Sequence, residues 1–264
     1  MQAASTGIKA IFFDIDGTLI SFKTHTMPES TQQALHALRE KGIKLFVATG
    51  RAPLMMPFLD KYFQFDAYLT LNGQYCYTPE GVIRKQMIDP GEIRKLKVLI
   101  KKHHFPCLFV HEKGGSLNFI DDRVRELFRM INYPLPEPKD LEDFPEDQVL
   151  QFVSFTPGEV VERVRQALPR VKLTRFMRTC FDAIPVGGGK DMGIQAVMDY
   201  AHIKQSETMA FGDGHNDIAM LKFARIGVAM GSSEDEVKEA ADFVTGSADE
   251  DGIAKALRHF GLLT

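Results

Sequence analysis

The sequence predicts an α/β protein in which a doubly wound parallel sheet carries an inserted α+β domain. Two observations predict it. Strand-like and helix-like segments alternate at both ends of the chain, and such alternation is typical of parallel strands covered by helices. Between these ends, residues 85–184 follow another order, in which helices are separated by hairpins. We therefore expect one discontinuous core domain, residues 1–84 and 185–264, and an inserted cap domain, residues 85–184.

The N-terminal part of the core reads as three strands joined by helices. Its first helix has Pro28 near the start and Gly42 just past the end, which are favoured positions for these two residue types. The turns Asn72-Gly73 and Pro79-Glu80-Gly81 then predict an antiparallel hairpin. The predicted elements are a strand at 8–13, a helix at 28–41, a strand at 44–49, a helix at 53–62 and a strand at 67–71.

The C-terminal part of the core resumes this alternation. Its strands are short apolar runs, and its helices carry apolar residues at helical spacing. The predicted elements are helices at 190–202, 215–224, 233–241 and 250–260 and strands at 207–212, 226–230 and 242–245.

The inserted stretch differs from both parts of the core. Apolar residues three and four apart predict three helices, whose buried faces begin at Ile93, Val124 and Val160. The turn at 112–115 predicts a hairpin between the first two strands. The resulting αββ-αβ-αββ order is that of an α+β domain with a hairpin at each end. The predicted strands are at 105–110, 116–120, 149–155, 171–176 and 180–184.

Composition limits the functions open to this chain. It has 264 residues, 44% of them hydrophobic, which is ordinary for a globular protein. Its formal net charge is -3, so it has no overall excess of basic residues that would favour nucleic-acid binding. Cys76, Cys107 and Cys180 are too scattered for a disulfide framework or a zinc site, which favours a reducing compartment. Because no stretch reads as a membrane span or a signal peptide, we expect a cytoplasmic protein without a nucleic-acid, membrane or obligate protein partner.

The segment Asp14-Ile15-Asp16-Gly17-Thr18 is the most informative one in the chain. It follows the strand at 8–13, so two carboxylates lie at the carboxyl end of a strand, where open parallel sheets bind their ligands. A tight turn needs only one aspartate, and two carboxylates this close repel each other. A divalent cation between Asp14 and Asp16 therefore explains the pair better than turn formation does.

Two further strand ends carry polar residues that suit the same site. Thr49-Gly50-Arg51 follows the second strand, and there a hydroxyl and a glycine N–H suit a phosphate oxygen. Gly212-Asp213-Gly214-His215-Asn216-Asp217 follows the strand at 207–212 and supplies more carboxylates. Each segment alone is common in turns. Three strands that deliver such residues to one sheet edge predict a functional site.

Two glycine-rich segments match nucleotide-binding loops only in part. Residues 212–217 have the first two glycines of a dinucleotide fingerprint, but Asp213 and Asp217 would repel a pyrophosphate unless a metal lay between them. Residues 185–190 lack the first glycine of a P-loop and the Ser/Thr that follows its lysine. These glycines allow the backbone to bring Lys190 into a crowded site, or they form a hinge at the end of the insert with Lys190 in solvent. The sequence leaves both interpretations open, and the glycines can serve both purposes.

Together these motifs resemble those of the haloacid dehalogenase-like hydrolase superfamily. Residues 14–18 match its first motif, Thr49 its second, Lys190 its third and residues 212–217 its fourth, in the same order along the chain. Residues 85–184 resemble the C2B cap of the Cof-like sugar-phosphate phosphatases. The resemblance implies a Rossmann-like core and a Mg²⁺-dependent phosphatase that acts on small phosphorylated metabolites, foremost hexose or pentose monophosphates.

The resemblance also implies a role for each motif residue. Asp14 would attack phosphorus and form an aspartyl phosphate, and Asp16 would serve as acid and then base. Mg²⁺ would be held by Asp14, Asp213 and the backbone carbonyl of Asp16. Asp217 would either bind the metal directly or hold the metal's ligands in place. The residues that would hold the phosphate are Thr49, Gly50, Arg51, Lys190 and Asn216.

Two other functions fit part of the pattern. A sugar phosphomutase of the same superfamily would use the same core, and activation by a bisphosphorylated sugar would favour it. A phosphoacceptor signalling module also combines clustered aspartates, a threonine and a lysine on a doubly wound sheet. That module predicts a single small domain without a large insert, and it has no use for Asp16 as an acid and base.

Overall fold

The computed structural model describes residues 7–177 and 180–264 of the chain. Within these residues no helix has the length and apolar character needed to cross a membrane. The strands are β1 (Ala10–Phe13), β2 (Lys44–Ala48), β3 (Ala67–Thr70), β4 (Tyr75–Thr78), β5 (Gly81–Lys85), β6 (Cys107–His111), β7 (Gly114–Leu117), β8 (Gln151–Ser154), β9 (Val171–Met177), β10 (Cys180–Pro185), β11 (Thr208–Gly212), β12 (Ile226–Ala229) and β13 (Phe243–Val244). The α-helices are α1 (Glu29–Glu40), α2 (Pro90–His103), α3 (Asp122–Met130), α4 (Gly158–Ala167), α5 (Lys190–Ala201), α6 (Ile218–Phe223), α7 (Asp235–Glu239) and α8 (Gly252–His259).

Strands from both ends of the chain form one sheet with β1 near its centre. The strand order is β13-β12-β11-β1-β2-β3-β4-β5, and all neighbours from β13 to β3 are parallel. The last two strands continue the sheet as an antiparallel hairpin, as predicted. Since β1 pairs with both β2 and β11, the carboxyl ends of these three strands meet at the same edge.

Both faces of this sheet are buried, which makes the fold doubly wound. Alternate residues of β1 point to opposite faces: Ile11 and Phe13 pack with α1 and α8, and Ala10 and Phe12 pack with α5, α6 and α7. The exposed fraction of all four side chains is 0%. A strand covered on both faces reads as a continuous apolar run, which is the signal that predicted it.

The inserted stretch forms a second, antiparallel sheet. Its strand order is β7-β6-β8-β10-β9, and its elements follow the αββ-αβ-αββ order expected from the sequence. Residues 178–179, between its last two strands, lie outside the described residues. One face of the sheet packs against α2 and α4. The opposite face packs against α3 and against Ala52, Leu71 and Tyr75 of the core, so this face of the insert covers the core.

The predicted helix at 53–62 is wrong. The chain forms two short 3-10 turns there, Pro53–Met55 and Leu59–Lys61. Pro57 lies between them; it has no N–H to donate to a helix, and it disfavours helical backbone angles at Met56. The predicted turn at 112–115 is also too long, because β7 already begins at Gly114.

Candidate active site

Three strand ends converge as the sequence predicted. Asp14 follows β1, Thr49 follows β2 and Asp213 follows β11, and the Asp14 N–H donates to the carbonyl of Phe211 at 2.9 Å. Only 6% of Asp14 and 1% of Thr49 are exposed. The parallel pairing of the three strands therefore brings a carboxylate, a hydroxyl and a second carboxylate to one edge of the sheet.

A glycine lets the first motif approach Asp213. Gly17 has a φ of 83°, in the region that favours glycine. A Cβ atom at Gly17 would lie 2.1 Å from Oδ2 of Asp213. The hydroxyl of Thr18 then donates to Oδ1 of Asp213 at 3.3 Å. The turn after β1 thus fits against the loop after β11 only with glycine at this position.

Three carboxylates form a compact cluster around one lysine. One oxygen from each of Asp14, Asp213 and Asp217 lies within 4.8 Å of the others. The Nζ of Lys190 lies 2.5 Å from Oδ1 of Asp14 and 2.5 Å from Oδ1 of Asp217. Only 1% of Lys190 is exposed. Of the two interpretations of the 185–190 segment, the structure supports the one in which the glycines deliver a lysine into a crowded site.

The cluster carries more negative charge than this lysine neutralises. Burial raises the pKa of Asp14 to about 7, and the charges of Asp217 and Asp16 add to the rise while Lys190 opposes it. Burial and the charge of Asp14 raise the pKa of Asp213 well above its ordinary value. Burial alone would lower the pKa of Lys190, but its two aspartate partners raise it. Carboxylate oxygens with an excess of negative charge are the donor set that Mg²⁺ prefers, so these residues fit a divalent cation.

Asp217 differs from the other two carboxylates because protein donors engage both of its oxygens. Its Oδ1 contacts Lys190, and its Oδ2 accepts from the backbone N–H groups of Asp213 at 3.0 Å and Gly214 at 2.9 Å. Asp217 is completely buried. It therefore holds the loop after β11 and the lysine in place.

Asp16 makes its main contact with Arg51. The Nε of Arg51 donates to Oδ2 of Asp16 at 2.7 Å, and Nη2 donates to Oδ1 at 2.6 Å. The sequence had placed Arg51 among the phosphate ligands. The structure places its guanidinium on the side chain of Asp16, and Arg51 also lines the pocket above Asp14.

Asn72 joins the core to the insert, a role that its interpretation as a turn residue did not predict. Its Nδ2 donates to Oε1 of Gln151 at 2.9 Å and to Oδ2 of Asp182 at 2.7 Å. Its Oδ1 accepts from Nδ2 of Asn216 at 3.0 Å. Asn72 has a φ of 53° and is 3% exposed. Gln151 and Asp182 were not predicted from the sequence; the available signal was a polar residue within an otherwise apolar strand of the insert.

These residues surround a pocket between the core and the insert. Its floor contains Asp14, Asp16, Thr49 and Asn216 of the core. Gln151 and Asp182 reach it from the insert. The rest of the insert's wall is apolar and includes Leu108, Val110, Phe128 and Val153. The pocket thus offers charged and polar atoms at its floor and a largely apolar cover.

Asp182→Asn is expected to stabilise the protein near neutral pH. Burial raises the pKa of Asp182 from 3.8 to about 6, so the folded protein favours the neutral carboxyl and ionisation costs stability as pH rises from about 4 to about 6. At about pH 8, ionisation of Asp182 lowers the free energy of unfolding by about 3 kcal/mol, and the neutral amide of asparagine avoids this loss. Thermal unfolding should show a gain over wild type that is larger at about pH 8 than at about pH 5. The exposed Asp140→Asn change on the insert is the control, and an equal gain at both pH values would contradict the assignment.

Comparisons with known proteins show which family and which solved structures this chain is similar to. The family model of the haloacid dehalogenase-like hydrolases matches residues 11–257. YkrA of Bacillus subtilis (strain 168), which carries a provisional phosphatase name, is 34% identical over 97% of this chain and 98% of its own. The 5-amino-6-(5-phospho-D-ribitylamino)uracil phosphatase YcsE of the same organism is 27% identical over 99% of both chains. The solved structure of BT4131, a subclass IIB sugar phosphatase, is 39% identical with a TM-score of 0.91 and covers 97% of this chain and 100% of its own.

Proposed function

Because the chain belongs to the haloacid dehalogenase-like hydrolases and is a phosphatase, we propose that it hydrolyses small phosphorylated metabolites, foremost hexose or pentose monophosphates, with Mg²⁺ and through an aspartyl phosphate. One observation carries the proposal. Asp14 lies beside Lys190 and Asp213 on the floor of a pocket that the insert covers. A buried carboxylate with a cation partner beneath an enclosed space suits attack on the phosphorus of a small substrate.

Asp14 is the nucleophile in this proposal. Its carboxylate attacks phosphorus, and the bond from phosphorus to the substrate oxygen breaks. Asp14, Asp213 and the backbone carbonyl of Asp16 would hold Mg²⁺, which would neutralise charge between a carboxylate and a phosphate that otherwise repel each other. The hydrogen bond from Lys190 fixes one oxygen of Asp14 and leaves the other for attack. Asp217 orients Lys190 and the 213–214 backbone, a supporting role that the occupation of both its oxygens favours.

Asp16 transfers the protons. It lies two residues after the nucleophile, on the same pocket floor. It donates a proton to the departing alcohol oxygen and later takes one from the water that cleaves the acyl phosphate, so it ends in its starting state. Such acid–base assistance contributes roughly 10²–10⁴-fold. The hydroxyl of Thr49, the N–H of Gly50 and the amide of Asn216 surround the same space and would hold the phosphate oxygens with Lys190.

The insert, residues 85–184, is the proposed cap that selects the substrate. The core motifs address phosphate and metal, so they do not distinguish one alcohol from another. Gln151 and Asp182 enter the pocket from the insert and offer donors and acceptors that suit sugar hydroxyls. The sugar phosphatase name of BT4131 supports this substrate class. The ribitylaminouracil phosphate named for YcsE should also be tested as a substrate, because its hydroxylated chain offers the same kind of groups to Gln151 and Asp182.

Gln151→Leu should reduce kcat/KM for hexose 6-phosphates by about 10-fold, since it removes a hydrogen bond to the sugar. The value for n-propyl phosphate, which has no hydroxyl for this residue to bind, should stay within about 2-fold. Gln166→Leu, at an exposed glutamine of the same domain, is the control for Gln151→Leu.

Steady-state phosphate release by wild type over a panel of sugar monophosphates, phosphopeptides and oligonucleotide 5′-phosphates tests the proposed function. A wild-type preference for phosphopeptides or oligonucleotides would refute the proposed substrate class.

A further inference from the structure

The guanidinium of Arg51 joins the core, the turn after β2 and the insert. Besides its two bonds to Asp16, its Nη1 donates to the carbonyl of Met55 at 3.1 Å, and its Nη2 also donates to the carbonyl of Ile131 at 2.8 Å. Ile131 caps the C-terminus of α3, which belongs to the insert. The ring of Phe58 lies 5.1 Å from the guanidinium carbon. Arg51 is 8% exposed, so this is a buried junction.

We propose that Arg51 is a positioning residue that holds the side chain of Asp16 for proton transfer and does so from an anchor on the insert. The proposal rests on the proposed function, in which Asp16 is the acid and base. In this proposal Arg51 acts through Asp16 and makes no bond of its own to the phosphate or the leaving group. This role differs from that of a phosphate ligand, which the sequence motif had suggested for Arg51.

The geometry of the ion pair supports a positioning role. A planar guanidinium that binds both oxygens of a carboxylate fixes the plane of that carboxylate as well as its distance. A lysine ammonium would bind as a point charge and leave the plane free. The carbonyls of Met55 and Ile131 hold the guanidinium on its other edges, so Arg51 has little freedom to turn toward the phosphate site.

The contact with Ile131 makes the insert part of this arrangement. The carbonyl of Ile131 is available to Arg51 only when the end of α3 lies against the turn after β2, as it does here. The correct orientation of Asp16 therefore depends on the insert lying over the pocket. Proton transfer to the leaving alcohol is then coupled to the enclosure of the substrate.

The nature of the leaving group separates a positioning role from phosphate binding. An alkyl phosphate needs a proton on its leaving oxygen, whereas 4-nitrophenolate departs without one. The ratio kcat/KM reports the steps up to the first irreversible step, which in this mechanism is loss of the alcohol. We expect Arg51→Lys to lower kcat/KM by roughly 10²-fold for a hexose 6-phosphate and by less than about 3-fold for 4-nitrophenyl phosphate.

Two further measurements complete the test. Guanidinium chloride at millimolar concentration should restore part of the lost alkyl phosphatase activity to Arg51→Ala and should leave wild type unchanged. Arg84→Ala is the matched control, because Arg84 is a half-buried arginine that donates to the carbonyl of Gly73 and does not contact Asp16. This variant should affect both substrates equally. In Arg51→Lys, hydrogen exchange at the end of α3 should be faster than in wild type, since the contact with Ile131 is lost.

Several results would overturn the proposal. Equal losses on the alkyl and aryl substrates in Arg51→Lys would show that Arg51 acts on the phosphate or on the fold, and unchanged kinetics would show that Asp16 does not need it. If Arg51→Ala does not fold, Arg51→Lys still tests the proposal, because its losses of kcat/KM on the alkyl and aryl phosphates can be compared. Failure of the proposed function is a separate outcome, because wild type would then release phosphate from neither substrate.

Discussion

Asp14→Asn abolishes phosphate release and leaves no phosphate on the chain: this is the largest effect we expect from one substitution. The amide has no negative charge with which to attack phosphorus, and it removes one of the two anionic partners of Lys190. We expect the rate to fall by roughly 10⁴-fold or more. Phosphate release under saturating substrate measures the loss, and mass spectrometry after an acid quench measures phosphate on the protein.

Asp16→Asn is the matched control for this substitution, since it changes the other carboxylate of the same turn. With 4-nitrophenyl phosphate, which needs no proton on its leaving group, Asp16→Asn should still acquire phosphate and then lose it slowly. Phosphate on Asp14 in that variant would identify the nucleophile directly. Normal turnover by Asp14→Asn, or phosphate recovered from another residue, would rule out the proposed covalent step.

Removal of divalent metal should have a comparable effect. Treatment with EDTA followed by dialysis should reduce activity to background, and Mg²⁺ should restore it. The physical reason is the charge of the cluster: Asp14, Asp213 and Asp217 face one lysine, and a phosphate dianion adds to the repulsion. Without a cation, the nucleophile and the phosphate would not approach each other.

Thermal unfolding gives a readout of the metal that does not depend on activity. Saturating Mg²⁺ should raise the Tm of wild type by at least about 2–4 °C, since ligands that bind only the folded state stabilise it. Asp213→Asn should show little of this shift. Its metal-free Tm should be higher than that of wild type, because one half-buried carboxylate that Asp14 and Asp217 repel is gone. Full activity after EDTA treatment, or an equal Mg²⁺ shift in Asp213→Asn, would disprove the site.

Local sequence signals predicted the core strands well where an apolar run is followed directly by turn-forming residues. The apolar run of β1 ends at Asp14, and the structure places the end of that strand at Phe13. The helix expected at 53–62 shows where such signals fail. Its apolar residues have helical spacing, but Pro57 removes a donor and restricts the residue before it, so the chain divides into two 3-10 turns.

The side chains that cover the site were harder to predict. Gln151 lies at the start of β8 and Asp182 in the middle of β10, and no motif marks either one. Their partner is Asn72, which comes from a turn in the core. Contacts of this kind join residues that are far apart in sequence, and spacing along the chain carries no information about them.

The sequence by itself determined the sheet, the strand ends and the residues gathered there. These follow from local rules, because parallel strands place their carboxyl ends at one edge and each motif lies directly after its strand. Only the tertiary structure decided how those residues are used. It paired Arg51 with Asp16 and Ile131, buried Lys190 between two aspartates, and brought Gln151 and Asp182 to the pocket. Each of these depends on two separate segments packing together, and such packing is set by the shape and burial of whole surfaces.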